Sequence, residues 1–215
     1  MNTSLSSMSP PPMPKIVAVF PGMGKRTTIK KLLENPEYNT ENVLNFNSEP
    51  YSWCVPAGET PMKPGCFDTG NPKQPSPDRY RNEKMADDYV NDLKIMIQEK
   101  NKPSNPLKVV FISTHDAVLK KLLEQNIDFI AIFPDASRKE AYLADGGQLN
   151  GYPQTVKEYV KTNWDKFMSE FNLLNGGKKI IKKEGFLETS NFIGGRKSRR
   201  RKRKNRKSRK SRSRR

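Results

Sequence analysis

The chain has 215 residues, which suits one α/β domain with short appendages. The formal net charge is +17, but the last twenty residues hold fifteen of the 40 Lys and Arg, which leaves 25 bases against 23 acids in residues 1–195. The positive charge therefore belongs to the C-terminal segment, and it does not by itself indicate a nucleic-acid-binding fold.

The sequence shows neither a membrane-spanning segment nor a signal peptide. No apolar stretch approaches the ~18 residues that a membrane span needs, and the N-terminus lacks the charged region before an apolar run that marks a signal peptide. The sequence predicts a soluble intracellular protein, cytoplasmic or nuclear, with no membrane partner. For a viral protein, the virion or viral factory would be the corresponding place.

The first part of the chain alternates apolar runs with breakers. Residues 1–14 are rich in Ser and Pro, which predicts a disordered N-terminus. Residues 15–20 (KIVAVF) form a β-branched run typical of a buried strand, and residues 25–33 have the pattern of a helix. A second short strand is expected at 42–47. The Pro- and Gly-rich stretch at 49–77 predicts a long functional loop.

The second part continues the alternation. A helical pattern starts near residue 77, with Asp78 as its expected N-cap and apolar residues at helical spacing as far as Ile97. The later elements are expected at 107–113 (strand), 115–125 (helix), 127–133 (strand), 136–143 (short helix), 144–153 (lid-like Gly-rich loop), 154–174 (long helix), 178–182 and 186–193 (edge strands). This alternation predicts one α/β domain over residues 15–193, a three-layer sandwich with a mostly parallel sheet.

The turn after the first strand carries a partial phosphate-binding motif. A Walker A loop reads G-x-x-x-x-G-K-[ST] between a strand and a helix, so that backbone amides and the lysine surround phosphate. Here Val19 replaces the first glycine, and Arg26 replaces the Ser or Thr that binds Mg²⁺. Thr27 supplies a hydroxyl one residue late, about 100° round the helix. The predicted nucleotide-binding residues are Pro21, Gly22, Met23, Gly24, Lys25, Arg26 and Thr27, with Thr27 as the candidate metal ligand.

The motif alone leaves an alternative open. A tight strand-to-helix turn that ends in a surface lysine has the same local pattern. The α/β layout of the rest of the chain favours the phosphate-binding interpretation.

Several segments together resemble a family of small P-loop proteins of bacteria and phages that are described as predicted nucleotide or nucleoside-monophosphate kinases. The resemblance covers about residues 15–175, and its motifs share order and spacing. The matching segments read FPGMGK at 20–25, VLNFNS at 43–48, YSW at 51–53, PDRY at 77–80, VFISTH at 110–115, IFP at 132–134 and NWDKF at 163–167. The resemblance implies a P-loop NTPase fold of the nucleotide-kinase type.

The resemblance also implies roles for particular residues. Lys25 would hold the donor phosphates of ATP, with Mg²⁺, and Arg138 and Lys139 would cover the transferred phosphoryl group. The acceptor nucleotide would contact Asn45, Asn47, Ser48, Arg79 and His115. The chain departs from the family at the chemistry, because asparagines stand at both acidic positions of the 43–48 motif and the lid keeps only its first two basic residues. Loss of such cationic groups slows phosphoryl transfer.

Single residues near these motifs have competing interpretations. His115 follows a predicted strand, so it either contacts substrate or orients Ser113, or else it caps the next helix. Asp116 fits a helix N-terminal acid better than a metal ligand. Trp53 and Trp164 are expected to be packing residues rather than base-stacking platforms.

The C-terminal segment, residues 194–215, is expected to be a disordered polybasic tail. Such charge density binds polyphosphate backbones without reading sequence, so DNA or RNA is the expected partner of residues 196–215. A nuclear-localisation signal and an inert solubilising tail are the alternatives. Two functions follow for the whole chain: a nucleotide kinase, or a catalytically impaired nucleotide-binding protein that associates with nucleic acid.

Overall fold

The structure is a computed structural model that describes residues 11–51, 53–54, 80–183 and 187–188. Arg79, most of the 49–77 loop and the polybasic tail lie outside these ranges, as do residues 1–10 and nearly all of the predicted strand at 186–193. Predictions about those residues stay predictions.

A parallel five-stranded sheet forms the centre of the domain. In chain order the strands are β1 (Lys15–Val19), β2 (Val43–Asn45), β3 (Trp53–Cys54), β4 (Tyr80–Arg81), β5 (Val109–Ile112), β6 (Ile130–Pro134) and β7 (Lys178–Lys182). The main sheet has the order β2-β5-β1-β6-β7, and every pairing in it is parallel. This confirms the predicted α/β class with a mostly parallel sheet, and the strands expected at 15–20, 42–47, 107–113, 127–133 and 178–182.

The described ranges contain five α-helices. They are α1 (Lys25–Leu33), α2 (Met85–Lys100), α3 (Asp116–Glu124), α4 (Lys139–Leu143) and α5 (Gln154–Leu173). A single 3₁₀ turn, Ala136–Arg138, precedes α4. None of the helices in the described ranges combines the length and apolar composition that a bilayer span requires.

The connections place helices on both faces of the sheet. The chain moves from β1 to β2 in one direction along the sheet, and all later connections move in the opposite direction. Right-handed crossovers therefore put α1 on one face and α2, α3 and α5 on the other. Helix α3 packs against both α2 and α5, as this arrangement requires.

An aromatic cluster joins α5 to the sheet at the end of β1. The Phe20 ring lies 5.1 Å from Phe133, 5.9 Å from Trp164 and 5.7 Å from Phe167, measured between ring centroids. Trp164 is buried, and its indole N–H donates to the carbonyl of Ala136 at 3.3 Å. The expectation that Trp164 is a packing residue is confirmed.

Two sequence expectations were wrong in detail. The second helix begins at Met85, with Lys84 in the N-cap position, and not near Asp78. The reason is a non-local pairing, since Tyr80–Arg81 joins Trp53–Cys54 in a small antiparallel ribbon. The single helix expected at 136–143 is a 3₁₀ turn followed by α4.

We expect Trp164→Ala to lower the free energy of unfolding by about 3–5 kcal/mol, because it removes a buried aromatic side chain and leaves a cavity beneath Phe20. Leu173→Ala on the same helix is the control, since Leu173 is 73% exposed and its truncation should change stability by less than about 0.5 kcal/mol. Urea unfolding measures both. Equal effects of the two variants would contradict the packing described here.

Candidate functional site

The predicted site residues come from loops at one edge of the sheet. Parallel strands β1, β2, β5 and β6 end at the same edge, so the segments that follow them are brought together. These segments carry Lys25, Asn47, His115 and Arg138 respectively. In open α/β sheets ligands bind at this carboxyl edge, where neighbouring strands connect in opposite directions.

The turn between β1 and α1 and the first turn of α1, residues 21–27, are called the cradle from here on. Gly22 and Gly24 have φ angles of +82° and +81°, in the left-handed region that favours glycine. The Met23 amide donates to the Phe20 carbonyl at 3.1 Å, which closes the turn. Intrahelical bonding starts only when the Thr28 amide donates to the Gly24 carbonyl, at 2.9 Å, and no side chain caps the helix. The amides of residues 25–27 therefore have no partner within α1.

Lys25 sits at the first position of α1 and points to the segment that follows β2. Its Nζ donates to Asn47 Oδ1 at 3.1 Å. Burial and, to a smaller extent, the neighbouring charge of Arg26 together lower the pKa of Lys25 to about 8. Among the described residues no carboxylate pairs with this ammonium, so its charge is compensated only by an amide dipole. Such a cation favours an incoming anion.

A chain of hydroxyl and imidazole groups lies next to Asn47. Ser48 Oγ is 2.8 Å from Ser113 Oγ and 3.0 Å from His115 Nε2. Ser48 is buried, whereas His115 is exposed. His115 does occupy the N-cap position of α3, but its side chain caps no amide of that helix. The imidazole contacts Ser48 at the sheet edge instead, and a contact of His115 with substrate stays a prediction.

Tyr89 on α2 joins the segments that carry this cluster, a role that its helical spacing in the sequence does not indicate. Its hydroxyl donates to the carbonyl of Phe46 at 2.6 Å and accepts from the amide of Ser113 at 3.4 Å. Burial raises the pKa of Tyr89, so the phenol stays protonated and serves as a fixed link between the segments after β2 and β5.

The described residues around the candidate metal ligand, Thr27, provide few further metal-binding groups. Thr27 and Arg26 are exposed on the first turn of α1. The next residue, Thr28, is buried, and its hydroxyl donates to the carbonyl of Leu187 at 3.1 Å. Within the described ranges, no three His, Cys, Asp or Glu side chains gather as a protein-held metal would need. Asp116 pairs with Lys120 on its own helix at 2.6 Å, in agreement with the helix-terminus interpretation.

Helix α4 and the lid-like loop that follows it, residues 144–153, both contact the cradle. The Tyr142 hydroxyl donates to the carbonyl of Pro21, and the Gly22 amide donates to the Tyr152 hydroxyl at 3.2 Å. Burial raises the pKa of Tyr142; nearby Tyr152 raises it further and Arg138 opposes the shift. Sequence reasoning missed both tyrosines, because their contacts join residues about 120 and 130 positions apart.

Arg138 and Lys139, which the resemblance places over the transferred phosphoryl group, have different surroundings. Arg138 is half-buried near Tyr142, and its Nη1 atom is buried without a hydrogen-bond acceptor in the described part of the chain. Lys139 instead forms an ion pair with Asp165 on α5, at 2.7 Å. Asn45, at the end of β2, is exposed, and Arg79 lies outside the described residues.

No protein-family model matches this chain, and a search of curated proteins found no match either. The resemblance to P-loop kinases therefore depends on the motifs of the sequence.

The pH dependence of stability offers a test of the environment of Lys25. Below pH 8 its ammonium is charged in the folded and the unfolded chain, and folding bears the full cost of burying that charge. Between about pH 8 and 10.5 the unfolded chain binds more protons at this residue than the folded chain. The contribution of Lys25 to stability should therefore rise with pH through that window.

We expect the stability difference between wild type and Lys25→Met to shift in favour of wild type as pH rises from 7 to 10, measured by urea unfolding at each pH. Lys30→Met, at an exposed position of the same helix, is the matched control and should show no such trend. Parallel profiles for wild type and Lys25→Met would contradict the described burial of the ammonium.

Proposed function

We propose that this chain is a P-loop nucleotide-binding protein that transfers a phosphoryl group from ATP to a nucleotide or a similar small phosphoacceptor. The observation that carries the proposal is the turn between β1 and α1, where two left-handed glycines precede a helix with uncapped first-turn amides and a half-buried lysine. A P-loop NTPase fold of the nucleotide-kinase type is part of this proposal.

Three features of the cradle suit a polyphosphate. The amides of residues 25–27 point out of the helix N-terminus, and the helix dipole adds a partial positive charge there. Lys25 adds a full charge, since a pKa of about 8 leaves about nine in ten ammonium groups protonated at pH 7. Electrostatic attraction in a partly desolvated site is stronger than in bulk water, so a phosphate would repay the burial of this cation.

The acceptor would lie on the side of β2 and β5. Asn47 already touches Lys25, and the next residue, Ser48, links it to Ser113 and His115. This row of amide, hydroxyl and imidazole groups could hydrogen-bond the sugar or phosphate of a second nucleotide without adding negative charge. Arg138 would approach from the opposite side, where its buried Nη1 lacks an acceptor among the described residues.

ATP would supply the phosphoryl group, and the residues that would hold it are the backbone of 22–27 and Lys25. Mg²⁺ is usually held by one or two carboxylates together with the phosphates of the substrate. The described residues offer no carboxylate cluster at the cradle, so Mg²⁺ would be carried mainly by the nucleotide, with the Thr27 hydroxyl as the candidate protein ligand.

We expect wild type to bind ATP, and Lys25→Ala to weaken binding by tenfold or more, because it removes the cation from the cradle. Isothermal titration with and without Mg²⁺ measures both affinities. Lys30→Ala, which removes an exposed lysine from the same helix, is the matched control and should bind like wild type. A coupled assay over a panel of nucleoside monophosphates then tests transfer.

Two outcomes would count against the kinase. If ATP binds but no acceptor in the panel is phosphorylated at high enzyme concentration, the chain is a nucleotide-binding protein without catalysis. If ATP does not bind, or binds equally well to Lys25→Ala, the assignment of the cradle itself is wrong.

The composition of the tail favours a second function, in which the domain binds nucleotide and residues 196–215 bind DNA or RNA. Fifteen positive charges in twenty residues would displace many counterions from a nucleic acid. The replacement of both family acids by Asn45 and Asn47 fits a protein that has lost catalysis.

Deletion of residues 196–215 should remove most of the affinity for duplex DNA or RNA and leave ATP affinity unchanged. Binding by the full chain should also weaken steeply as salt rises from 50 to 200 mM. Fluorescence anisotropy with labelled oligonucleotides measures both effects. Unchanged nucleic-acid affinity after the deletion would exclude the tail as the binding element.

A further inference from the structure

The amide of Gly22 has an acceptor from a distant part of the chain. Tyr152 lies in the loop between α4 and α5, and its hydroxyl oxygen is 3.2 Å from this amide nitrogen. In a phosphate-binding loop the backbone amides are the groups that surround the anion. Tyr152 therefore places a neutral oxygen on a group that a phosphate oxygen would use.

The rest of the same segment packs closely over Gly22. A β-carbon at Gly22 would lie 2.7 Å from the Tyr142 hydroxyl, 2.9 Å from Leu149 Cδ2 and 3.0 Å from the Gln148 carbonyl oxygen. Tyr142 also donates to the carbonyl of Pro21. The segment from Tyr142 to Tyr152 is thus attached to the cradle on both sides of the peptide that joins Pro21 to Gly22.

Arg138 shows that this arrangement does not satisfy every polar group. Its charge is close enough to the Tyr142 hydroxyl to oppose the rise in the pKa of that phenol. Its Nη1 atom is nevertheless buried without an acceptor among the described residues. A buried guanidinium nitrogen without a partner is costly, and an anion would satisfy it far better than a phenol would.

We propose that Tyr152 is a gate on the cradle: its hydroxyl occupies the Gly22 amide in the ligand-free protein, and a polyphosphate must displace it in order to bind. This inference rests on the proposed function, and it adds the regulation of the same site. The arriving phosphate oxygen takes over the Gly22 amide, and the negative charge supplies the acceptor that Arg138 lacks.

The gate is reversible because little holds Tyr152 itself in place. The side chain is 41% exposed, and its bond to Gly22 is a neutral hydrogen bond, which contributes little net stability in proteins. Tyr142, by contrast, is fully buried beside Phe20 and Trp164. Opening therefore requires Tyr152 to swing away while Tyr142 keeps the segment attached.

The test is the affinity of Tyr152→Phe for two probes, ATP and inorganic pyrophosphate, measured by isothermal titration. The variant keeps the ring and removes the competing oxygen, so both ligands should bind about three- to tenfold more tightly than to wild type. Pyrophosphate lacks base and sugar, so an equal gain for both probes locates the competition at the phosphates. Tyr159→Phe, an exposed tyrosine on α5, is the matched control and should bind like wild type.

The outcomes separate the gate from the proposed function. If wild type binds ATP through Lys25 but Tyr152→Phe binds equally or more weakly, the gate is overturned and the nucleotide site stands. If only Tyr152→Phe binds, or if it binds more tightly, the gate is supported. If neither protein binds either probe, both proposals fail. Urea unfolding of the variant confirms that it is folded.

Discussion

The position of the candidate site depends on how firmly the end of β1 is held. The Phe20 amide donates to the Ile132 carbonyl of β6 at 3.0 Å, and the Phe20 ring is enclosed by Phe133, Trp164 and Phe167. The glycine turn begins two residues later, at Gly22. A flexible glycine turn can present its amides in a defined direction only if its entry is fixed, and here the fixed point is the aromatic core that α5 builds.

The position of Lys25 beside this core also determines the charge at the sheet edge. Burial next to the core lowers the pKa of Lys25, yet Asn47 gives this lysine an amide oxygen and no negative charge. A carboxylate at that position would form an ion pair with the ammonium and compete with an anionic ligand. With asparagine there, the charge of Lys25 is not neutralised. The asparagine amide, unlike a carboxylate, does not accept a proton. The Lys25 side chain is consequently placed to attract an anion, and Asn47 cannot act as a general base.

The structural features that the sequence could predict are those with local signals. Buried strands such as Lys15–Val19 and helices such as Lys25–Leu33 follow from runs and periods within a few residues. The start of α2 was misplaced because Tyr80–Arg81 pairs with a strand some 27 residues earlier, which no helical period records. The motif identified Lys25 but not its partner, and Tyr142, Tyr152 and Tyr89 act through contacts that only the folded chain creates.

Leu187 gives the cradle a connection to the other end of the chain. Its amide donates to the carbonyl of Met23 at 2.9 Å, and its carbonyl accepts from the Thr28 hydroxyl. The polybasic segment starts at Arg196, only nine positions after Leu187, and a fully extended chain of that length spans about 30 Å. If the segment binds nucleic acid as proposed, the part of the nucleic acid held near Arg196 would remain within about 30 Å of the cradle. So short a connection would raise the effective concentration of that nucleic acid beside the cradle.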